Sequence, residues 1–542
     1  MALSLIRHIK KKASHLACNT ILYDWSLSGN VPEKFKLTPP DPWAGDSNRG
    51  RWLCEGAFEI AGDQLSANAC WEPVGVSDIW LSHMHGFSWL RDLRTLGGDV
   101  ARRQARGMVG HWINTYPRWH ELAWRPDILA QRVALWISTY EFFGASAEDE
   151  FQDFFLQSLI RQARHLQRSL PGNLYGVSLL RGIRGLLYAG VVFEGREDWI
   201  EQALEMLEGQ LPVQILSDGG HVSRSPAKLL EALQILIDMR GALAARGYPV
   251  PPELQHAIDR AVPALRFFRF ADKGFAVMNG AQEADTLHMD AVLAQSGVRG
   301  RALEGLPASG YERLGLGRTT LMIDTGKTPP YPHDEGAHAA PLAFEMTYGK
   351  DRVFVSCGAH PTDKGWQEAL RATAAHNTLC LDNRNAAEIR EDGHISRPVR
   401  MPVCVREEAK GAVLVEASHD GYVPLNGLTH RRRIYLSNKG NDIRGEDTLC
   451  SAAPPIKPHD VAIRFHLHPR VKVSLIQDGE AALLRLPCGS GWRFMHDGGA
   501  LALEDSIYCG QGSRPLKTKQ LVIYGQTTSD FAQVKWGLSK EG

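Results

Sequence analysis

The sequence predicts a multidomain α+β protein: a helical N-terminal region, an α/α toroid or a bundle, followed by a C-terminal antiparallel β-sandwich-like domain. Three observations carry this prediction. Apolar residues recur with a helical period from about residue 75 to 305, and with the two-residue period of strands from about 312 onward. Glycine- and proline-rich punctuation separates the periodic segments. The chain's 542 residues, 44% hydrophobic and 23% charged, suit about two to four folded domains. That composition excludes a disordered chain, a collagen-like chain and a small disulfide scaffold.

Residues 1–75 read as an N-terminal extension. Its basic run, Lys10-Lys11-Lys12, is followed by Ala13-Ser14-His15-Leu16 and not by the apolar core of a secretory signal. No stretch approaches the roughly 18 apolar residues of a membrane span. The nine cysteines are odd in number, scattered and without a Cys-x-x-Cys pair, which suits reduced thiols. A cytoplasmic protein is therefore expected. A short basic amphipathic helix over residues 2–12, touching a membrane surface, is the lesser alternative.

The toroid is expected over 76–305. Ile200, Ala203, Leu204, Leu207 and Leu211 share one helical face, as do Leu229, Leu233, Leu236, Met239 and Leu243. Ser225-Pro226 marks a helix start, because the hydroxyl caps free N–H groups and proline fits the first turn. No repeat of constant period stands out, which argues against a regular solenoid. Between Gly297 and Gly310 lie Gly300, Gly305 and Pro307, so the boundary is placed there. The sheet domain is expected over 306–542. Leu342–Met346, Tyr348-Gly349-Lys350-Asp351 and Val353–Val355 read as a hairpin. Ile434/Leu436, Ile463/Phe465/Leu467 and Val471/Val473/Leu475 alternate as half-buried strands.

Several segments concentrate residues able to do chemistry. His376, with Asn377 and Thr378 beside it at the entrance of the strand Leu379-Cys380-Leu381, suits a proton acceptor. The bland alternative is a histidine satisfied by backbone. His333-Asp334-Glu335-Gly336-Ala337-His338 offers two imidazoles and two carboxylates to a metal or a sugar, or is a solvated turn. Asp218-Gly219-Gly220-His221 precedes the capped helix. Asn173, after Pro171-Gly172, suits a helix N-cap. Arg431-Arg432-Arg433 is a cationic strand face. Lys plus Arg and Asp plus Glu are 61 each, a zero net charge that argues against a nucleic-acid partner. Phosphate-loop, HExxH and Gly-x-Ser-x-Gly motifs are absent.

Taken together, DGGHVSRSP (218–226), GAHAAPLAFEM (336–346), RATAAHNTL (371–379), HDGY (419–422), THRRRIYL (429–436) and IRFHLHP (463–469) resemble the heparinase II/III-like family of polysaccharide lyases. GFSWLRDL (86–93) and WRPDILAQRV (124–133) extend the likeness to nearly the whole chain. The resemblance implies an incomplete α/α toroid followed by an antiparallel β-sandwich domain. It also implies β-elimination on a uronate-containing glycan: one group neutralises the carboxylate, a base takes the C5 proton, and an acid protonates the leaving oxygen. By position, Asn173 is the helix residue of that set and His376 the strand histidine, with His221 beside them. The family's tyrosine follows the Ser-Pro closely; here Lys228 stands there, able to act as a base or to bind a carboxylate. Arg125, Tyr175, His338, Arg371 and Asn377 are the substrate-binding candidates.

The family also implies a divalent metal in the β domain, zinc or calcium, with Asp382, Asp392 and His419 as candidate ligands. No organic cofactor is expected. The partner implied is an acidic oligosaccharide or polysaccharide, and a dimer is compatible. Two alternatives stay open. One is a glycoside hydrolase on the same scaffold, using carboxylates among Asp218, Glu283 and Glu345. The other is a non-catalytic glycan-binding protein whose lyase site has decayed.

Overall fold

The computed structural model describes residues 16–60, 63–66, 71–400, 403–451, 458–527 and 531–541. The expected basic helix over residues 2–12 lies outside them. The helical period becomes α1 (Ile21–Ser26), α2 (Ser47–Cys54), α3 (Asp78–Gly86), α4 (Leu90–Leu96), α5 (Gly98–Thr115), α6 (Pro126–Ser138), α7 (Tyr140–Phe143), α8 (Asp149–Ser169), α9 (Gly176–Val192), α10 (Glu197–Gln214), α11 (Pro226–Arg246), α12 (Pro252–Phe267) and α13 (Thr286–Ser296). One small hairpin, β1 (Ala57–Ile60) with β2 (Asp63–Ser66), interrupts them. From residue 305 onward the backbone is dominated by antiparallel strands, so the expected order of a helical region and then a sheet region is met.

The chain divides into two compact units, Met1–Pro212 with Ala232–Ile258 and Val213–Glu231 with Asp259–Gly542. The helical unit is built on aromatic packing. Trp112 and Phe87 each meet Trp136 edge to face, at 5.4 and 5.1 Å between ring centres. The fully buried Arg132 guanidinium lies 4.0 Å over the Trp112 ring, and its Nε donates to Gln162 at 2.7 Å. Gly185 lets α9 and α6 touch backbone to backbone, since a Cβ there would stand 2.8 Å from the Ala130 carbonyl oxygen.

The sheet unit holds three principal sheets. β3 (Gly305–Leu306), β4 (Tyr311–Leu316), β5 (Thr319–Asp324), β6 (Phe344–Tyr348) and β7 (Asp351–Phe354) form a meander in sequence order. β6 and β7 are the hairpin expected from the alternation at 342–355. α14 (Lys364–Arg371) then leads into β8 (Leu379–Leu381), β9 (Glu388–Ile389), β10 (Ile395–Arg397), β11 (Val403–Ala409) and β12 (Ala412–Tyr422). After α15 (Val423–Asn426) come β13 (Leu428–Leu436), β14 (Asp442–Ser451), β15 (Asp460–His466), β16 (Lys472–Ile476), β17 (Ala481–Arg485), β18 (Gly491–Asp497), β19 (Ala500–Tyr508), β20 (Leu516–Gln526) and β21 (Phe531–Lys540). An eight-stranded sheet runs β11-β12-β13-β14-β21-β18-β17-β16, and a four-stranded one runs β19-β20-β15-β8.

The core of this unit lies where the sheets face one another. Phe344 of the meander stacks on Trp536 of the eight-stranded sheet at 5.4 Å, and Phe465 of the four-stranded sheet meets the same Trp536 at 5.0 Å. Ile434, Leu436, Ile463, Phe465 and Leu467 are all buried, as their alternation predicts. Leu475 departs from it: it is 38% exposed on β16, the edge strand of the eight-stranded sheet.

Candidate functional site

Within the helical unit, the loop before α6, the loop before α9, α8 and the N-terminal segment enclose a cavity of about 1060 Å³. It brings together three residues singled out from the sequence: Arg125, Asn173 and Tyr175. Asn173 does not cap a helix. α9 opens three residues later, at Gly176, and its first turn takes no side-chain cap. The Asn173 amide is exposed into the cavity and takes no hydrogen-bond partner among the described residues. Tyr175 presents a partly exposed ring beside it.

Arg125, a substrate-binding candidate, is already ion-paired. Its guanidinium donates to Asp78 at 2.6 Å and to Asp127 at 2.8 Å, so its charge is already neutralised and its geometry fixed. The cavity also holds residues that sequence reasoning did not select: Tyr23, Trp119, Trp124, His165 and Arg168. The aromatic density of the 112–124 segment was a signal for Trp119 and Trp124, but not for Tyr23, His165 or Arg168. Burial pushes the His165 imidazole down to about 4, so at neutral pH it is an uncharged hydrogen-bonding group.

The remaining candidates belong to the sheet unit, where the segment before α11 is fastened to the meander. Asp218 accepts from the Ser309 N–H at 2.7 Å and from its hydroxyl at 2.8 Å. Arg224 donates to the Ser309 carbonyl at 2.6 Å, to Lys327 and Gly310 carbonyls at 3.0 Å, and to Asp324. Gly219, at φ +85°, passes so close to this frame that a Cβ would collide with the Arg260 carbonyl. These bonds fix where α11 starts, as Ser225-Pro226 predicted, and hence where Lys228 stands.

Lys228 leaves 52% of its side chain exposed and pairs with Glu231 at 3.4 Å. His221 is buried. Its Nδ1 accepts from the Ser223 N–H at 3.2 Å, which assigns the proton to Nε2, 3.4 Å from the Gln214 carbonyl oxygen. Burial first, and then the charges of His333 and Lys228, push it down to about 3. With both nitrogens engaged, His221 acts as a strut rather than as a proton carrier.

His376 sits where the sequence placed it, just before β8, 1% exposed and next to His338, with ring centres 4.6 Å apart. Its Nε2 lies 3.1 Å from the Leu370 carbonyl, which can only accept, so Nε2 carries the proton and Nδ1 keeps a lone pair. Burial holds the ring down to about 4. His338 has the opposite tautomer. Its Nε2 accepts from the Gly280 N–H at 2.8 Å, leaving the proton on Nδ1, and burial likewise depresses it. The turn that makes this cradle, Asn279-Gly280, has both residues at positive φ. Asn279 also accepts from the His338 N–H at 3.0 Å and donates to Tyr311. Asn-Gly was legible as a turn, but its contact with His338 was not.

Two substrate-binding candidates are structural instead. Asn377 is fully buried. It donates to the Phe344 carbonyl at 2.8 Å and accepts from the His466 N–H at 2.5 Å, so it ties β6 to β15. Arg371 donates to the carbonyls of Ala337 and Gly393, at 2.8 and 2.7 Å, and secures the His338 loop.

The carboxylates considered for hydrolysis are also occupied. Asp218 holds Ser309. Glu345 is completely buried and accepts from the N–H groups of Val277 at 3.1 Å and Ser356 at 3.3 Å, while burial raises it to about 7. Glu283 accepts from the Tyr508 hydroxyl at 2.6 Å and from Gln511 at 2.9 Å.

The expected metal set does not fit either. Asp382 is taken by His459 at 2.7 Å and by the Asp460 N–H at 2.9 Å. Asp392 pairs with Arg390 at 2.6 Å. His419 shares its Nε2 with His430 and accepts the Gly421 N–H at Nδ1, both at 3.0 Å. Among the described residues no group of three His, Cys, Asp or Glu side chains is arranged to hold a metal ion.

A helical unit with an aromatic cavity, and a sandwich unit with a buried imidazole pair at a strand start, match known protein architecture. Residues 108–296 match the family model described as heparinase II/III N-terminus, and residues 298–537 match heparinase II/III-like, C-terminal. The chain belongs to the heparinase II/III-like family. Among curated relatives, FtsZ-localized protein C of Caulobacter vibrioides (strain NA1000 / CB15N) is 31% identical over 538 residues, covering 94% of this chain and 91% of the relative. A solved structure of heparinase III superposes with a TM-score of 0.77 at 15% identity, over 99% of this chain and 91% of that one. The heparan sulfate lyase HepC mutant from Pedobacter heparinus gives 0.66 at 16% identity, over 92% and 84%. At such identities the solved structures speak for the fold.

Proposed function

We propose that the protein binds an acidic, uronate-containing oligosaccharide in the cavity of the helical unit and cleaves it by β-elimination. The observation that carries this reading is the uncommitted Asn173 amide in a cavity walled by Tyr23, Trp119, Trp124 and Tyr175. Aromatic faces stack on the C–H faces of sugar rings, and an amide N–H is a donor for a carboxylate. In this reading Asn173 draws charge from the uronate carboxylate. The C5 proton passes to a base, for which the family resemblance names His376 or Lys228, the C4–C5 double bond forms, the C4–O bond breaks, and the leaving oxygen takes a proton. The test is ultraviolet absorbance of the unsaturated uronate over a panel of uronate oligosaccharides. Appearance of that chromophore, and its loss in Asn173→Ala and His376→Ala, supports the reading. A panel without chromophore and without binding sinks it.

A second reading is glycan binding without turnover, at the site of an FtsZ assembly. Lys228 in the place of the family tyrosine favours it, as does the name of the 31% identical relative. Saturable oligosaccharide binding with no chromophore, together with co-sedimentation with FtsZ filaments, selects this reading over the first.

A further inference from the structure

We propose that the buried guanidinium of Arg132 supplies the positive potential that draws an anionic ligand into the cavity of the helical unit. The proposal rests on the glycan reading above and names the group that makes that cavity select an acid. Arg132 stands on α6 and is fully buried. It differs from every other buried arginine among the described residues. Arg184 meets Asp238, Arg352 meets Asp272 and Arg432 meets Asp447, each at 2.7 Å, and Arg224 meets Asp324. Arg371 lies in the field of Asp334 and Glu335. Arg132 has neutral partners only: Gln162 at 2.7 Å, the His85 carbonyl at 2.9 Å and the faces of Trp112 and Trp136. Its Nη2 takes no hydrogen bond among the described residues.

A buried cation without an anion is costly, and a neutral donor could make the same two bonds at lower cost. Fastening α6 to α3 and α8 therefore does not account for the charge. Burial pulls the Arg132 pKa down, yet a guanidinium starts so high that it keeps its proton at neutral pH. The counter-ion that the fold withholds is one that a ligand can bring.

The cavity lies within reach of this field. Gln162, which accepts from the Arg132 Nε, precedes His165 by one turn of α8. His165 in turn lines the cavity beside Trp124, with ring centres 5.5 Å apart. Burial is the main force holding the His165 imidazole down, and a hydrogen bond to the Trp124 backbone opposes it. The charges that act on the ring are those of Arg168 and Arg132, both cationic. The charged residues that line the cavity cancel, Glu121 and Asp127 against Arg125 and Arg168. Arg132, behind the wall, is the charge left over. A charge inside protein acts over several ångströms with little screening, whereas lining ions face water and salt. Arg132 thus biases the cavity towards an anion without touching it. The exposed Asn173 amide is the group that meets the anion's carboxylate in the reading above.

The experiment titrates the His165 ring by NMR in the full chain and in its Arg132→Met and Arg132→Lys variants. The wild type and the lysine variant should titrate near about 4, and the methionine variant about one pH unit higher. An unchanged His165 in the methionine variant overturns the proposal. In parallel, binding of a glucuronate-containing oligosaccharide is compared with binding of its carboxyl-reduced, neutral form. Arg132→Met should weaken the acidic ligand about tenfold and leave the neutral one unaltered, while Arg132→Lys keeps the preference. Equal losses for both ligands mean a structural role and overturn the proposal. A wild type that binds neither ligand sinks the glycan reading, while the His165 titration still decides whether Arg132 charges the cavity. A measurement on the wild type alone needs no variant to fold. Its preference for the acidic form should change less than about threefold between about 50 and 500 mM salt, because the charge is buried. A steep loss of preference would give the selection to Arg168 and overturn the proposal.

Discussion

At the scale of single residues, burial holds His376 neutral, and this has consequences for pH. His376 is depressed to about 4, against about 6.5 in the unfolded chain. Between those values the unfolded chain takes up a proton that the folded one refuses. The stability His376 contributes is therefore present above about 6.5 and drains away as pH falls towards 4, at about 1.4 kcal/mol per pH unit. Melting temperatures across this range should fall less steeply in His376→Gln than in the wild type; parallel curves would show that His376 is protonated in the fold. Lys228 allows a kinetic test on any active substrate. If its ammonium contacts the substrate carboxylate, Lys228→Met should raise KM about tenfold with kcat nearly unchanged. A kcat loss of about 10²–10⁴-fold would instead make Lys228 a proton-transfer group. Both residues were legible in advance because their motifs are local in sequence. The bonds that neutralise Arg125 and immobilise Asn377 were not, because Asp78, Phe344 and His466 are distant along the chain.

At the scale of elements, the close approach of α9 and α6 makes Gly185 a sensitive position. The obstacle to a Cβ is the Ala130 backbone, which cannot rotate away. Gly185→Ala should cost about 1–3 kcal/mol by overpacking, despite alanine's better helix propensity. Chemical denaturation would measure it, and a stabilised variant would mean that the helices part freely. Periodicity identified these helices and the hairpin β6–β7, since one repeating face is enough to set the type of element. Periodicity does not say that β16 lies at the edge of its sheet, because an edge position follows from strand order.

At the scale of the whole molecule, the change of period near residue 305 and the compact units fall in different places. The sheet unit also takes Val213–Glu231 and the chain from Asp259. Those segments supply Asp218 and Arg224 to Ser309 and Asp324, the Gly280 N–H to His338, and Glu283 to Tyr508. A chain beginning at residue 298 should therefore be poorly soluble or markedly less stable than the same sheet region in the full chain, although it contains every strand from β3 onward. Limited proteolysis and calorimetry of the two would show it. A fragment that melts cooperatively at the temperature of the full chain would mean that these tethers add nothing.

Read alone, the sequence determined the order of helices and strands, the hairpin, the start of α11, the strand entrance of His376 and the family resemblance. Each depends on hydrophobic period or on short motifs, which are properties of neighbours along the chain. Tertiary structure decided which polar groups remain unspent. Asn173 keeps its amide because α9 begins later than its cap signal suggests. Asn377, Asp218 and Glu345 lose their freedom to partners far away in sequence, because a buried polar group must be satisfied by whatever the fold brings to it.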